Sequence, residues 1–204
     1  MERFIVASLL LLASAAAVEG RMGATAVFGN SMPTNHVFTG GGELPRICDQ
    51  VRFKTICRGF TKLPVVATPR QLLLASIRVA SEKAKEAKLR VEEYKARTHA
   101  SGPMASITDT CSKGYDDVVQ SLEETRQLIE AEGANSNDLN VKVSGAVTSA
   151  DGCKDAFADF PEIKSPFAAI QQNVFRVVDN VLNIAVLVQQ AEAHQTKLPG
   201  PLVH

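Results

Sequence analysis

The spacing of four cysteines constrains the fold of this chain more than any other sequence feature. Cys48 and Cys57 enclose eight residues, whereas Cys111 and Cys153 lie on either side of Gly133 at nearly equal distances. Two helical patterns meet at that glycine, and a chain that folds back there brings Cys111 and Cys153 face to face. Four cysteines allow three pairings. The sequence favours Cys48–Cys57 and Cys111–Cys153, with the second bond across the middle of a helical hairpin.

Residues 1–17 have the organisation of a secretory signal peptide. Arg3 supplies a basic start, residues 4–12 are an apolar run, and the alanines up to Ala17 provide a cleavage site. The apolar run is shorter than the about 20 residues that span a bilayer. We expect cleavage after Ala17 and secretion into an oxidising compartment, where disulfides persist. No later stretch is expected to span or anchor in a membrane.

Charge and aromatic content exclude several classes of protein. The chain has 22 Lys and Arg against 22 Asp and Glu, so it lacks the basic excess typical of proteins that bind nucleic acid. Tryptophan is absent and aromatic residues make up only 5%. A core built from aliphatic residues and alanine favours closely packed helices over sheets. The chain is therefore expected to be a single all-α domain.

Four segments carry apolar residues at alternating spacings of three and four, as one face of a helix does. The stripes run over residues 73–94, 107–129, 139–160 and 170–191. Four such segments with short connections predict an antiparallel up-down-up-down four-helix bundle. Residues 44–63, closed by Cys48 and Cys57, are expected to form a short helical hairpin before it. We assign 18–43 to a flexible linker, 44–195 to the domain and 196–204 to a frayed tail.

Local signals predict where three of these helices begin. Thr68 followed by Pro69 and Gln71 has the form of a capping box. Asn137 or Asp138 is expected to cap the third helix. Ser165 and Pro166 are expected to be the N-cap and first residue of the last one.

The sequence offers little chemistry beyond binding. The histidines at 36, 99, 194 and 204 have no metal-ligand spacing, and Asp116 and Asp117 are adjacent, so they do not share one helix face. Cysteines held in disulfides leave no thiol nucleophile. We expect no catalytic, cofactor-binding or metal-binding residues. A protein that carries a small apolar ligand between its aliphatic stripes is an alternative, although a packed core is favoured.

Four segments resemble the plant pectin methylesterase inhibitor and invertase inhibitor family. They are the Cys48–Cys57 unit behind the leader, residues 110–119 with Cys-x3-Tyr-x-Asp, residues 143–157, and Asn180-Val-Leu-Asn-Ile184. The resemblance implies a helical hairpin on a four-helix bundle with these two disulfides, and no catalysis or cofactor. It also implies a one-to-one complex that covers the active-site cleft of a target enzyme in the plant cell wall or apoplast, with the vacuole as an alternative location.

The resemblance leaves two target enzymes open. Residues 164–167, Lys-Ser-Pro-Phe, look like the invertase inhibitor branch. That branch is associated with a Pro-Lys-Phe tripeptide in the turn before the helix of the fourth cysteine, where this chain has Ser136-Asn137-Asp138. Lys142 also replaces the family's usual tryptophan. We favour pectin methylesterase over invertase (β-fructofuranosidase), and expect the hairpin of residues 70–130 to contribute contacts.

Overall fold

In the computed structural model, which describes residues 42–131 and 136–195, every regular element is an α-helix. The helices are α1 (Glu43–Gln50), α2 (Lys54–Phe60), α3 (Pro69–Thr98), α4 (Gly102–Glu130), α5 (Ser136–Ala158) and α6 (Ala168–Gln195). The all-α class and the presence of two disulfides are confirmed. The signal peptide, most of the linker, Gly133 and the tail at 196–204 lie outside the described residues and stay predictions.

The four long helices pack as a ring in which each contacts the next in sequence and α3 also contacts α6. Pairs across the seams are Lys88–Asp116 and Lys95–Asp109 between α3 and α4, Cys111–Cys153 and Glu124–Lys142 between α4 and α5, and Asn140–Gln189 and Cys153–Gln171 between α5 and α6. At each seam the residue numbers rise along one helix as they fall along its neighbour. Consecutive helices are therefore antiparallel, and the α3–α4 seam lies opposite the α5–α6 seam.

The predicted stripes line the core. In α3 the three alanines at 80, 84 and 87 are fully buried, and their small side chains allow the neighbouring helices to approach closely. The core also contains polar residues, of which only Thr125 lies on a predicted stripe: Ser76, Thr108, Tyr115, Thr125, Gln171 and Asn180. The hydroxyls of Ser76, Thr108 and Thr125 donate to carbonyls three or four residues earlier in their own helices, which satisfies them locally.

Helix starts agree with the sequence at one of three positions. The capping box is present: Thr68 Oγ1 accepts from the Gln71 amide at 3.2 Å, and Gln71 Oε1 accepts from the Thr68 amide at 3.1 Å. The expectation for α5 is wrong, since that helix already begins at Ser136. The expectation for α6 is also wrong, because Ser165 accepts from the amide of Phe167 in a turn and the helix begins at Ala168.

The disulfide between Cys111 and Cys153 is displaced from the predicted middle of its hairpin. Cys111 lies in the first part of α4 and Cys153 near the end of α5, so the bond joins the open end, away from the connecting turn. Two residues at equal sequence distances from the turn lie opposite each other. Their position along the hairpin depends on the lengths of the two helices. The two Cα atoms are 4.3 Å apart, and both cysteines are fully buried.

Gly114 permits this close approach of α4 and α5. A Cβ atom built on Gly114 would lie 3.0 Å from the carbonyl oxygen of Ser149, which is backbone and cannot rotate away. Gly152, also helical, would meet nothing within 4 Å. We expect Gly114→Ala to lower the free energy of unfolding by about 1–2 kcal/mol through overpacking. Gly152→Ala is the matched control and should raise it by about 0.5–1 kcal/mol through helix propensity. Urea denaturation of both variants measures this, and equal shifts would contradict the close packing.

In the described part of the chain, one helix is long and apolar enough to cross a bilayer: residues 168–193 of α6, with a mean hydropathy of 1.2. Half of its apolar window is buried against the rest of the molecule, as expected for a core helix of a bundle. The expectation that no later stretch spans a membrane stays a prediction.

The N-terminal hairpin of α1 and α2 is fixed to the bundle by a buried amide. Asn180 of α6 is fully buried; its Oδ1 accepts from the backbone N–H of Phe53 at 3.1 Å, and its Nδ2 donates to the Phe53 carbonyl at 2.9 Å. Phe53 lies between α1 and α2. Its carbonyl also accepts from the amides of Ile56 and Cys57 in α2, at 3.1 and 3.2 Å, whereas its N–H donates to Asn180. The Cys48–Cys57 disulfide, also buried, closes the same hairpin. Asn180 thus satisfies the Phe53 N–H and links the hairpin to α6.

We expect Asn180→Leu to lower the free energy of unfolding by about 1–3 kcal/mol, because the backbone N–H of Phe53 loses its partner. Asn173→Leu, at an exposed position of the same helix, should change it by no more than about 0.5 kcal/mol. Chemical denaturation followed by circular dichroism measures both. Equal stability of the two variants would show that the amide does not hold the hairpin.

Candidate functional site

The outer surface of the α3–α4 seam is a long regular surface formed by helices of 30 and 29 residues. Helix α3 has 30 residues and is therefore about 45 Å long, and α4 runs beside it for almost the same length. Both helices turn their stripes inward, so their outer faces are charged. We call these outer faces the α3–α4 face. A face of this length is large enough for a typical partner surface of about 800 Å².

Ion pairs fix the two helices of the α3–α4 face relative to each other. Lys88 Nζ lies 2.7 Å from an Asp116 oxygen and 3.6 Å from Glu92, and Glu92 also accepts from Ser112 at 3.0 Å. Lys95 pairs with Asp109 nearer the other end of the seam. Single exposed pairs contribute little to stability, but networks with shared partners restrict side-chain motion. The network makes this face a rigid pattern of charge.

The carboxylates of this face keep their charge in mild acid. The hydrogen bond from Arg126 lowers the pKa of Glu123 to about 2, with a further contribution from Gln127. A hydrogen bond from Lys83 lowers the pKa of Glu86. A carboxyl whose pKa is lowered in the folded state stays ionised until the pH falls through that value. Glu123 and Glu86 therefore keep their charge in mild acid.

Leu89 is an apolar side chain in the middle of the outer face of α3. It is 59% exposed, and exposed Lys85 and Glu93 lie one turn before and after it, with Glu86 and Glu92 beside them. Residues that dominate binding energy lie near the centre of an interface and are most often Trp, Tyr or Arg. Leu89 is a single apolar side chain within a ring of charges, at a central position that a bound partner would bury. Nothing in the sequence singles it out, because it lies off the apolar stripe and resembles any leucine in a charged run.

The four predicted cysteines lie in the scaffold, away from the α3–α4 face. The structure pairs Cys48 with Cys57 and Cys111 with Cys153, and none of the four side chains is exposed. Gln171 donates from Nε2 to the Cys153 sulfur at 3.0 Å, which ties the disulfide to α6 as well. They act on function only by holding the helices in position.

Within residues 42–131 and 136–195, no group of three His, Cys, Asp or Glu side chains is placed to hold a metal ion. His99 has φ of 49° and ends α3 in the left-handed conformation. The other three histidines lie outside the described side chains. The site is thus a rigid charged surface with a central apolar residue, an arrangement suited to binding another protein.

Comparison with known proteins agrees with the sequence resemblance. Residues 43–184, more than half of the chain, match the family model "Plant invertase/pectin methylesterase inhibitor". No curated protein matches the chain significantly. Two solved structures share its fold, both pectin methylesterase inhibitors from Arabidopsis. The first, a mutant form, is 18% identical with a TM-score of 0.60 and covers 71% of this chain and 96% of its own. The second is 16% identical with a TM-score of 0.52 and covers 73% and 97%.

Proposed function

The chain belongs to the plant invertase/pectin methylesterase inhibitor family, and from that premise we propose that it inhibits a pectin methylesterase. In this proposal the protein is secreted into the cell wall after removal of residues 1–17. It binds the enzyme one to one and covers the active-site cleft with the α3–α4 face. The proposal gives the protein no catalytic step of its own, so inhibition depends only on the complex.

The choice of pectin methylesterase rests on residues 136–138. The resemblance associates invertase inhibition with a Pro-Lys-Phe tripeptide in the turn before the helix of the fourth cysteine. Here those positions are Ser136, Asn137 and Asp138, and they are already the first turn of α5. Positions 136–138 therefore have neither the Pro-Lys-Phe sequence nor a turn conformation. This favours pectin methylesterase over invertase as the target.

The segment that resembles the invertase inhibitor branch has a structural role. Phe167 is buried, and its ring contacts Tyr94 edge-on at a centroid distance of 5.1 Å and Phe157 at 6.1 Å. Ser165 orders the turn by accepting from the Phe167 amide at 3.1 Å. These contacts anchor the start of α6 against α3 and α5. Packing alone explains why these residues stand at 165–167. They therefore give little support to invertase as the target.

An inhibition panel tests the proposal. Purified mature protein is mixed with several plant pectin methylesterases and with cell-wall and vacuolar invertases at mildly acidic pH. We expect loss of methylesterase activity and unchanged invertase activity. Unchanged methylesterase activity at micromolar excess across the panel would refute the proposal, and loss of invertase activity alone would transfer it to invertase. Displacement of a fluorescent fatty acid would instead support the ligand-carrier alternative.

A further inference from the structure

Two arginines lie over one aromatic ring at the junction of the N-terminal hairpin and α6. The guanidinium carbon of Arg52 is 5.2 Å from the Phe53 ring centroid and 6.0 Å from that of Phe175, and the guanidinium carbon of Arg176 is 5.6 Å from Phe53. The two guanidinium carbons thus lie no more than about 11 Å apart and place two positive charges on this part of the surface. Phe53 itself is held by the buried Asn180.

Neither arginine makes a hydrogen bond or close ion pair with any side chain in the described ranges. A guanidinium that rests on a ring keeps the N–H donors of its edge available for carboxylates. The nearby acid is Asp179, whose pKa is raised by burial and lowered less by Arg52. Asp179 is partly buried and accepts from Asn183 at 3.4 Å, and its charge offsets part of that of Arg52.

A groove of about 550 Å³ begins beside this pair and runs between α5 and α6. Arg52 and Phe175 line one part of it, and Asp151, Lys154, Gln171 and Gln172 line the rest together with three alanines. The volume is within the range of small-molecule sites. Lys154 is paired with Asp151 at 2.9 Å, so Arg52 supplies the remaining positive charge of the lining.

The groove combines three kinds of contact that suit a charged sugar. Phe175 offers a flat apolar ring and the alanines leave room beside it. Gln172 and the Asp151–Lys154 pair offer hydrogen bonds to hydroxyl groups. Arg52 offers a paired donor edge for a carboxylate. An acidic peptide fits less well, because it lacks the sugar rings and hydroxyl groups that Phe175 and Gln172 would contact.

We propose that the α5–α6 groove binds a short oligomer of uronic acids, with a carboxylate held by Arg52, a sugar ring against Phe175, and Arg176 as a second positive charge beside the groove. The choice of uronic acids rests on the proposed function, since hydrolysis of pectin methyl esters leaves such carboxylates. The groove lies on the side of the bundle opposite the α3–α4 face. The inhibitor can therefore hold demethylated polymer on one side while it holds the enzyme on the other.

Isothermal titration calorimetry of the mature protein with hexagalacturonate, in low salt and without enzyme, tests the proposal. We expect a Kd below about 1 mM. The double variant Arg52→Gln/Arg176→Gln should bind at least about 10-fold more weakly, a loss of about 1.4 kcal/mol. Arg78→Gln removes an exposed charge from α3 and is the matched control, with unchanged affinity expected. Circular dichroism melting of each variant shows whether the fold is retained.

Three further results would overturn the proposal. They are equal affinity for the fully methyl-esterified hexamer, equal affinity for an oligoglutamate of the same charge, and equal loss in the double variant and in Arg78→Gln. Inhibition is measured separately: the double variant should inhibit as the unaltered protein does. Binding of hexagalacturonate by a protein that inhibits no methylesterase would uphold the groove and refute the proposed function.

Discussion

Replacing Cys111 and Cys153 together by alanine should lower the free energy of unfolding by about 4 kcal/mol. This is the free energy that corresponds to the loop-closure entropy of an unfolded chain with a loop of this length. The two residues are 42 apart in sequence, and their bond joins α4 to α5 at the open end of the hairpin. Their removal also releases Gln171 from its contact with the Cys153 sulfur. For a domain of this size such a loss is a large part of the total stability.

Replacement of Cys48 and Cys57 is the matched comparison. Their separation is 9, so the same relation gives about 3 kcal/mol. Urea denaturation under non-reducing conditions compares the two double variants. A larger loss from the Cys48–Cys57 pair would contradict the role given to the longer bridge. Non-reducing digestion of the secreted protein checks the pairing, and a peptide that links Cys48 to Cys111 would refute it.

Leu89→Asp should weaken inhibition of the target methylesterase at least about 30-fold, which corresponds to about 2 kcal/mol. The substitution places an unpaired carboxylate at the centre of the α3–α4 face, where a partner would bury it. The position is 59% exposed, so the fold should be retained. The inhibition constant, measured against the most sensitive enzyme of the panel, reports the effect.

Val141→Asp is the control for Leu89→Asp. Val141 on α5 is 68% exposed and lies outside the α3–α4 face, so the same change of charge should leave inhibition unaltered. Both variants should melt within a few degrees of the unaltered protein. If Val141→Asp weakens inhibition and Leu89→Asp does not, the enzyme binds across another face of the bundle.

Periodicity predicted the fold because the core is a simple repeat. Buried residues such as Ala80, Ala84 and Ala87 recur at the spacing of one helix face, and this spacing is readable from sequence. Helix ends were less readable. The turn at Ser165 and the start of α6 at Ala168 depend on the packing of Phe167 against α3 and α5, which lies outside any local window.

Polar residues in the core were missed for a related reason. Tyr115 follows Gly114 and lies beside the stripe, yet it is fully buried, and burial raises the pKa of its hydroxyl to about 12. The sequence around Asn180 gives no sign that this residue is buried, because its hydrogen bonds are with the backbone of Phe53, far away in the chain. The α5–α6 groove was equally hidden, because Arg52 and Phe175 are far apart in sequence. Such sites depend on contacts between segments, whereas a stripe depends on one segment alone.

The most direct measurement is a stoichiometric titration of a pectin methylesterase with the mature protein at mildly acidic pH and an enzyme concentration well above the Kd. A one-to-one inhibitor that covers the cleft predicts a linear fall in activity to near zero at an equimolar ratio. It also predicts no such loss with Leu89→Asp at the same ratio. Full activity at equimolar and at excess protein, for every methylesterase tried, would contradict the proposed function.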